Sequence, residues 1–398
     1  RGGGPANRAV LAQPNWKNAN DFKRFGRPNY GFLVSSGVID SMVNHYTAAK
    51  RRRSSDVYTP GGKAAKRPDR AVNVYCRLIR EAYGDIPIAI GGVEASLRRF
   101  AHYDYWDDAV RPSILVDSGA DLLMFGMGER TILVTADWMS RGAPVWECAK
   151  MRGVCFLSPA AMRASIEIPS YEDCVRSKKK YGEAFLVQYN EQDPIRGHAI
   201  SQRHGDQYVV QTVPDMPLSR EELDQSYTLP YQRTWHPDYD ALGGVPAIEE
   251  VQFSIAHTRG CFGSCSFCAI TFLQGRIVTT RSHESVVNEA KAITQMPNFK
   301  GYIHDVGGPT ANFRRAACDK QLKVGTCAGR QCLFPKPCPN MVVDHTDYIS
   351  LLREIRALPK VKKVFVRSGL RYDYIMADHS DAFLRELCQY HVSGQLKV

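Results

Sequence analysis

The stretch Arg259-Gly260-Cys261-Phe262-Gly263-Ser264-Cys265-Ser266-Phe267-Cys268 carries three cysteines in the spacing C-x3-C-x2-C. It follows an alternating apolar pattern, Val251, Phe253 and Ile255, which predicts a strand. Three thiolates in so short a loop can bind three irons of a [4Fe–4S] cluster, which normally takes four cysteine ligands. The spacing therefore predicts a cluster held by Cys261, Cys265 and Cys268, with one iron left open for another ligand.

Two other interpretations of these cysteines stay open. A zinc ion could combine the three thiolates with a fourth ligand such as His257, or the thiols could simply be buried. Gly260, Gly263, Ser264 and Ser266 favour the cluster. Small residues let a loop close around a cluster and free backbone N–H groups to bond its sulfurs.

The residues after this loop alternate between helix and strand patterns and predict a partial parallel (βα) barrel over residues 247–398. Ser282 caps the first helix, Gly301–Val306 and Val361–Arg367 are the next two strands, and Gln395–Val398 begins a fourth. Because the pattern stops there and no Met begins the chain, we expect both true ends to be missing and the barrel to be truncated. Parallel barrels bind ligands at the carboxyl ends of their strands, where the cysteine loop lies.

The N-terminal part of the chain predicts a second α/β layer. Residues 1–150 alternate strand and helix patterns, and the strands at Ile86–Ile90 and Leu122–Phe125 end in glycines. This order predicts a parallel, doubly wound, Rossmann-like sheet. Residues 151–246 are irregular and rich in proline, so we interpret them as a connecting segment with a small β element.

A second group of cysteines, Cys318, Cys327, Cys332 and Cys338, lies in an insertion at residues 313–340. Four cysteines within 21 residues, without a helix or strand period, suit an auxiliary [4Fe–4S] cluster or a structural zinc site. The third alternative is that they bind no metal. Their irregular spacing does not choose among the three.

The composition is that of a globular protein of two or three domains. The 398 residues are 44% apolar and 23% charged, and no run approaches the roughly 18 apolar residues of a membrane span. No secretory signal pattern begins the chain, so we expect a cytoplasmic protein in which twelve cysteines indicate metal or redox use. The net charge of +11 makes RNA or an RNA–protein complex a conceivable partner, and no membrane partner is expected.

The cysteine loop, with Phe267 before its third cysteine, resembles that of the radical S-adenosylmethionine (SAM) superfamily. Five further stretches, spread over nearly the whole chain, are similar to the YgiQ-type family of radical SAM proteins. These stretches are residues 91–99, 102–106, 202–206, 305–312 and 368–373.

This resemblance implies a radical SAM enzyme whose substrate and catalytic residues are not identified. In that superfamily the open iron binds SAM, and reductive cleavage of SAM gives methionine and a 5′-deoxyadenosyl radical that abstracts a substrate hydrogen. A low-potential electron donor of the flavodoxin or ferredoxin type is implied as a partner. SAM contacts are implied at Phe267, Gly307, Gly308, Pro309, Ser368 and Arg371. For Arg371, an ion pair with Asp373 is the alternative.

The glycine-ended N-terminal strands also resemble those of the cobalamin-binding domains in other radical SAM enzymes. The chain contains no Asp-x-His-x-x-Gly, so no histidine is placed to ligate cobalt and cobalamin is not expected. Base-off binding, which needs no such histidine, stays an alternative to a structural or substrate-binding domain.

Two functions without SAM chemistry remain as alternatives. One is a basic, metal-stabilised protein that binds nucleic acid or the ribosome, and the other is an iron–sulfur redox sensor. Neither needs Gly307-Gly308 at the end of the strand that follows the cysteine loop, so this pairing favours the enzyme.

Overall fold

The computed structural model describes residues 9–392 and 394 and divides the chain into two compact units. The first unit runs to Val187 and also takes in His198–Val213 and His236–Pro246. The second unit takes in Gln188–Gly197, Pro214–Trp235 and the chain from Ala247 onward.

The first unit is a mixed α/β layer. Its strands are β1 (Phe32–Val34), β2 (Ile88–Ile90), β3 (His102–Asp104), β4 (Ala109–Arg111), β5 (Leu122–Met124), β6 (Val154–Ser158), β7 (Ile166–Ile168), β8 (Ile200–His204) and β9 (Gln207–Gln211). Its helices are α1 (Ser41–His45), α2 (Ala71–Tyr83), α3 (Gly92–Leu97), α4 (Ile114–Ser118), α5 (Glu129–Arg141), α6 (Tyr171–Arg176) and α7 (Lys178–Asn190), the last of which continues into the second unit.

Seven of these strands form one sheet in the order β1-β2-β5-β6-β9-β8-β7. All three residues of β2 are buried, and α2 buries Val72, Tyr75, Cys76 and Ile79 in the same core. Burial raises the pKa of the Cys76 thiol to about 12, so this cysteine acts as a small core residue.

The sheet differs from the predicted one in direction and extent. Strands β1, β2 and β5 pair in parallel, but β6 joins β5 antiparallel, as β9 joins β6 and β8 joins β9. At the far edge β7 pairs with β8 in parallel again. Strands β6–β9 belong to the segment predicted as a connection over 151–246, so the boundary expected at residue 150 falls inside a sheet. The signal was weak: Val154-Cys155-Phe156 is buried throughout, and so short an apolar run lacks the alternation of a half-buried strand.

The second unit contains short strands and helices. Its strands are β10 (Ser254–Ala256), β11 (Thr258–Arg259), β12 (Thr279–Thr280), β13 (Tyr302–Ile303), β14 (Asp305–Gly307) and β15 (Lys363–Val364). Its helices are α8 (Arg220–Tyr227), α9 (Ile248–Val251), α10 (Ile270–Leu273), α11 (His283–Thr294), α12 (Asp319–Val324), α13 (Thr346–Arg356), α14 (Tyr372–Met376) and α15 (Ala382–Glu386).

The strands after Ala247 pair in parallel, as βα units require. β10 pairs with β14, and β13 pairs with β15. The predicted strand Gly301–Val306 is thus present as β13 and β14, interrupted at His304. Val251, predicted to share the β10 strand, instead ends α9 and is exposed.

The two helices between these strands bury one apolar face each, and the first begins at the cap that the sequence predicts. Ser282 caps α11, and α13 buries Tyr348, Leu351, Leu352 and Ile355 against the strands. The Tyr348 hydroxyl donates to the Val306 carbonyl at 2.6 Å and ties α13 to β14.

The described residues contain the first three strand positions of the predicted barrel. The fourth predicted strand, Gln395–Val398, lies outside the described residues, and the barrel as a whole stays a prediction. In the described part of the chain, no helix has the length and apolar character needed to cross a membrane.

Leu352→Ala tests the core behind the parallel strands. Leu352 is fully buried, so we expect its truncation to lower the free energy of unfolding by about 2–5 kcal/mol. Leu133→Ala, at a helical position that is 65% exposed, is the control and should change it by less than about 0.5 kcal/mol. Urea unfolding followed by circular dichroism measures both, and equal losses would contradict this packing.

Candidate metal centre

The cysteine loop is closed at its neck by two short strands. β11 and β12 pair antiparallel on either side of it, and the Cys261 N–H donates to the Gly275 carbonyl at 3.1 Å. Gly260 has φ +78°, and a Cβ there would overlap the carbonyl oxygen of Ile277. The neck therefore needs glycine at this position, both for its backbone angle and for its lack of a side chain.

The three thiols are held on this loop in a partly buried state. The Cys268 N–H donates to the Cys265 carbonyl at 3.0 Å, and the Gly263 N–H lies 3.4 Å from the Cys261 sulfur. Burial raises the pKa of the Cys261 thiol. Because metals bind the thiolate, occupation of this site would release a proton.

The predicted glycine motif contacts the cysteine loop. The Thr310 hydroxyl oxygen lies 3.2 Å from the Cys261 sulfur, at the end of the Gly307–Thr310 stretch. A Cβ at Gly308 would overlap the Thr258 methyl group in the neck. The absence of side chains here lets the end of β14 approach the cysteine loop closely.

Arg371, predicted on the third strand end, also reaches the cysteine loop. Its Nη1 donates to the Cys265 sulfur at 3.2 Å and to the Gly263 carbonyl at 3.4 Å. Its Nε donates to Asp373 at 2.9 Å, and this hydrogen bond raises the pKa of the guanidinium. The ion pair given as the alternative for Arg371 is present, and the same guanidinium also contacts a cysteine sulfur. The SAM contact of Arg371 stays a prediction.

Asp305 joins the ends of the second and third strands. Its Oδ1 accepts from the backbone N–H groups of Arg367 at 2.8 Å and Ser368 at 3.1 Å, and its Oδ2 accepts from the Ser368 hydroxyl. A Cβ at Gly307 would overlap that Ser368 hydroxyl. Asp305 and Thr310 lie in the stretch 305–312, but no individual role is predicted for them from the sequence. A carboxylate at a parallel strand end, followed by glycines, was the available signal.

For Phe267 and Pro309, which also have predicted SAM roles, the structure gives exposure and position in the chain. The Phe267 side chain is 90% exposed beside Cys268, and Pro309 is half-buried beside Thr310. The SAM contacts of these residues stay predictions.

His257, the example given of a fourth zinc ligand, is engaged through both of its ring nitrogens. It is fully buried, and its Nε2 lies 3.0 Å from the Ala311 carbonyl, so this nitrogen donates. Its Nδ1 accepts from Arg314, 3.2 Å away, so both ring nitrogens are engaged. Burial holds the pKa of His257 well below its usual range, and the ring is neutral.

Two buried arginines support the neck of the loop. Arg314 donates to the Arg281 carbonyl at 3.2 Å and to Asp347 at 2.5 Å. Arg281 donates to the Ala256 carbonyl at 3.0 Å and pairs with Glu289. Each guanidinium is paired with a carboxylate, so these arginines fix the backbone around the neck and add no uncompensated charge.

The four cysteines of the insertion also come together. They line one cavity with four other residues, namely Ala317, Arg330, Gln331 and Met341. Burial raises the pKa of the Cys332 thiol, and its three cysteine neighbours raise it further. Across residues 9–392 and 394, no three His, Cys, Asp or Glu side chains are grouped in a way that could hold a metal ion.

The family described as Radical SAM N-terminal matches residues 7–254. The chain belongs to this family. The match confirms the resemblance that the cysteine loop and the other motifs indicated.

Curated relatives carry the name UPF0313 protein. One from Clostridium botulinum (strain ATCC 19397 / Type A) is 58% identical over 391 residues, which is 98% of this chain and 61% of the relative. One from Clostridium perfringens (strain SM101 / Type A) is 57% identical over 392 residues, 98% of this chain and 59% of the relative. The chain thus spans about three-fifths of the length of these relatives.

Two structures of TsrM from Kitasatospora setae, a radical SAM methyltransferase, are distant structural matches. One, with tryptophan and a SAM analogue bound, has a TM-score of 0.41 and 15% identity, covering 90% of this chain and 47% of that one. The other, with cobalamin and a [4Fe–4S] cluster bound, has a TM-score of 0.35 and 17% identity, covering 82% and 45%.

Acid should destabilise the fold in part through His257. The unfolded chain binds a proton below about pH 6.5 that the folded ring excludes. The part of the free energy of unfolding that depends on His257 is therefore fully present above about pH 6.5. Below that pH it falls by up to about 1.4 kcal/mol per pH unit.

The comparison of wild type with His257→Gln isolates this effect, because every other histidine is present in both. Urea unfolding at pH 7.5, 6.5 and 5.5 should give the variant the shallower pH dependence. Parallel curves would mean that His257 is not excluded from protonation in the folded protein.

Proposed function

We propose that this chain is the cofactor-binding part of a radical SAM enzyme. Cys261, Cys265 and Cys268 would hold a [4Fe–4S] cluster, and the iron that they leave open would bind SAM. The observation that carries the proposal is the meeting of three motifs: Thr310 contacts the Cys261 sulfur, and Arg371 contacts the Cys265 sulfur.

The chemistry of the donors fits this cluster, although the three side chains as described are not grouped as they would be around a bound metal ion. Three thiols share one closed loop, and His257 has no free nitrogen to act as a fourth ligand. The Gly263 N–H, the Thr310 hydroxyl and the Arg371 guanidinium lie within bonding distance of cysteine sulfurs. Such donors stabilise the negative charge that a thiolate-bound cluster carries.

When bound, the cluster and SAM supply a 5′-deoxyadenosyl radical for hydrogen abstraction from a substrate. The chain's own residues would position the cofactor. The backbone at Gly307, Gly308 and Pro309 offers close approach to SAM, and Ser368 and Arg371 offer a hydroxyl and a cation at the same strand ends. Phe267 adds an exposed ring beside the cluster.

The partners follow from this chemistry. A low-potential donor of the flavodoxin or ferredoxin type would deliver the electron. The net charge of +11 supports RNA or an RNA–protein complex as the substrate class, within the cytoplasm. That cobalamin takes no part stays a prediction.

Electron paramagnetic resonance of the anaerobically reconstituted, dithionite-reduced protein tests the proposed function. We expect a [4Fe–4S] signal that SAM perturbs in the wild type and in Cys388→Ala, an exposed cysteine outside both groups. The combined variant Cys261→Ala, Cys265→Ala, Cys268→Ala should lose the SAM response, because it lacks the open iron. A signal indifferent to SAM would favour the redox sensor, and zinc in place of iron would favour the nucleic-acid-binding protein.

Arg371→Gln tests the charge on the Cys265 sulfur. A cation stabilises the more negative reduced cluster, so its removal should lower the reduction potential by about 50 mV, equivalent to about 1 kcal/mol for one electron. Arg385→Gln is the control, since Arg385 is exposed and pairs with Asp381. Spectroscopic redox titration measures both, and an unchanged potential in Arg371→Gln would contradict the contact.

A further inference from the structure

The insertion after β14 brings its four cysteines to one cavity without an evident packing reason. Cys327 is exposed, and Cys318, Cys332 and Cys338 are only partly buried, so they do not form a hydrophobic core. All four thiols are unpaired, so no disulfide explains their meeting.

The backbone around these cysteines is fixed by polar contacts. Arg276 donates to the carbonyls of Cys327 at 3.1 Å and Arg330 at 3.0 Å. Asp193 accepts from the Thr326 N–H at 2.6 Å and from its hydroxyl at 2.7 Å. These contacts hold the middle of the insertion in place, so that its sulfurs face a common cavity.

A further hydrogen bond joins the Cys338 end of the insertion to Cys332. The Cys338 N–H donates to the Cys332 carbonyl at 2.8 Å, which closes a turn between the two cysteines. Arg330 lines the cavity, and Arg276 donates to the Arg330 carbonyl. Positive charge at this place suits a centre of net negative charge.

Four thiols that line one cavity can hold either a single zinc ion or a [4Fe–4S] cluster. Zinc binds all four thiolates itself, whereas in a cluster each thiolate binds a different iron. Arg330 in the lining and Arg276 beside it add hydrogen-bond donors and positive charge, which suit the larger negative charge of a reduced cluster.

The insertion is also in contact with the three-cysteine loop. Gln331, which lines the cavity, donates through its Nε2 to the Ser264 carbonyl at 3.0 Å. Cys261 and Cys332 pack against the same small apolar group, in which Phe262 stacks on Phe313 at 3.7 Å.

We propose that Cys318, Cys327, Cys332 and Cys338 hold a second [4Fe–4S] cluster beside the first. Four protein ligands leave no open iron, so this centre would not bind SAM. It goes beyond the proposed function and does not depend on it, since nothing in the cavity requires SAM chemistry.

Metal analysis of two combined variants tests the second cluster. Both are purified and reconstituted anaerobically with iron and sulfide, and iron, sulfide and zinc are measured with Mössbauer spectra. The first replaces Cys261, Cys265 and Cys268 by serine, and the second replaces the four cysteines of the insertion by serine. The wild type should hold about eight irons per chain and each variant about four. Cys388→Ser is the control and should match the wild type.

The first variant is the decisive one, because it leaves the insertion intact even if the second variant fails to fold. About four irons and four sulfides, with a reduced signal that ignores SAM, would support the second cluster. About one zinc per chain, or no metal, in this variant would overturn it. If the wild type shows no SAM response and this variant still holds four irons, the proposed function fails and the second cluster stands.

Discussion

The parallel pairing of β10 with β14 is the constraint on which the candidate site depends. Because Ala256 lies opposite Gly307, the chain leaves both strands at the same edge. The cysteine loop leaves the first strand there, and the glycine motif leaves the second. Asp305 then fixes the third strand end to the second through two backbone N–H groups and the Ser368 hydroxyl. Three segments far apart in sequence are thus brought within hydrogen-bond distance.

Buried polar side chains also support this edge of the strands. Arg281 is almost completely buried, and it contacts Glu289 and the face of Tyr227. Burial lowers its pKa to about 10, which still leaves the guanidinium charged at neutral pH. A neutral His257 lies beside Arg314 in the same layer. Both arginines are paired with carboxylates, and the histidine supplies only hydrogen bonds.

The site was more predictable from sequence than the sheet of the first unit. Cysteine spacing, a glycine pair and a strand-end arginine are local signals, and backbone pairing brings them together. The β5–β6 pairing, by contrast, joins Leu123 to Cys155 across a helix and a turn, and no local sequence pattern predicts it. The partners of Arg371 show the same limit, because the sequence offered Asp373 two residues away and gave no sign of the Cys265 sulfur.

Three glycines of the site make it sensitive to substitution. Gly260, Gly307 and Gly308 each lie where a Cβ would overlap a neighbouring atom. Every other amino acid carries that atom, so any missense change at these three codons would disturb the neck or the strand end. An exposed residue such as Leu133 can be replaced with little effect on the fold. At these positions the close approach of the three segments therefore sets the residue, whatever the rest of the chain becomes.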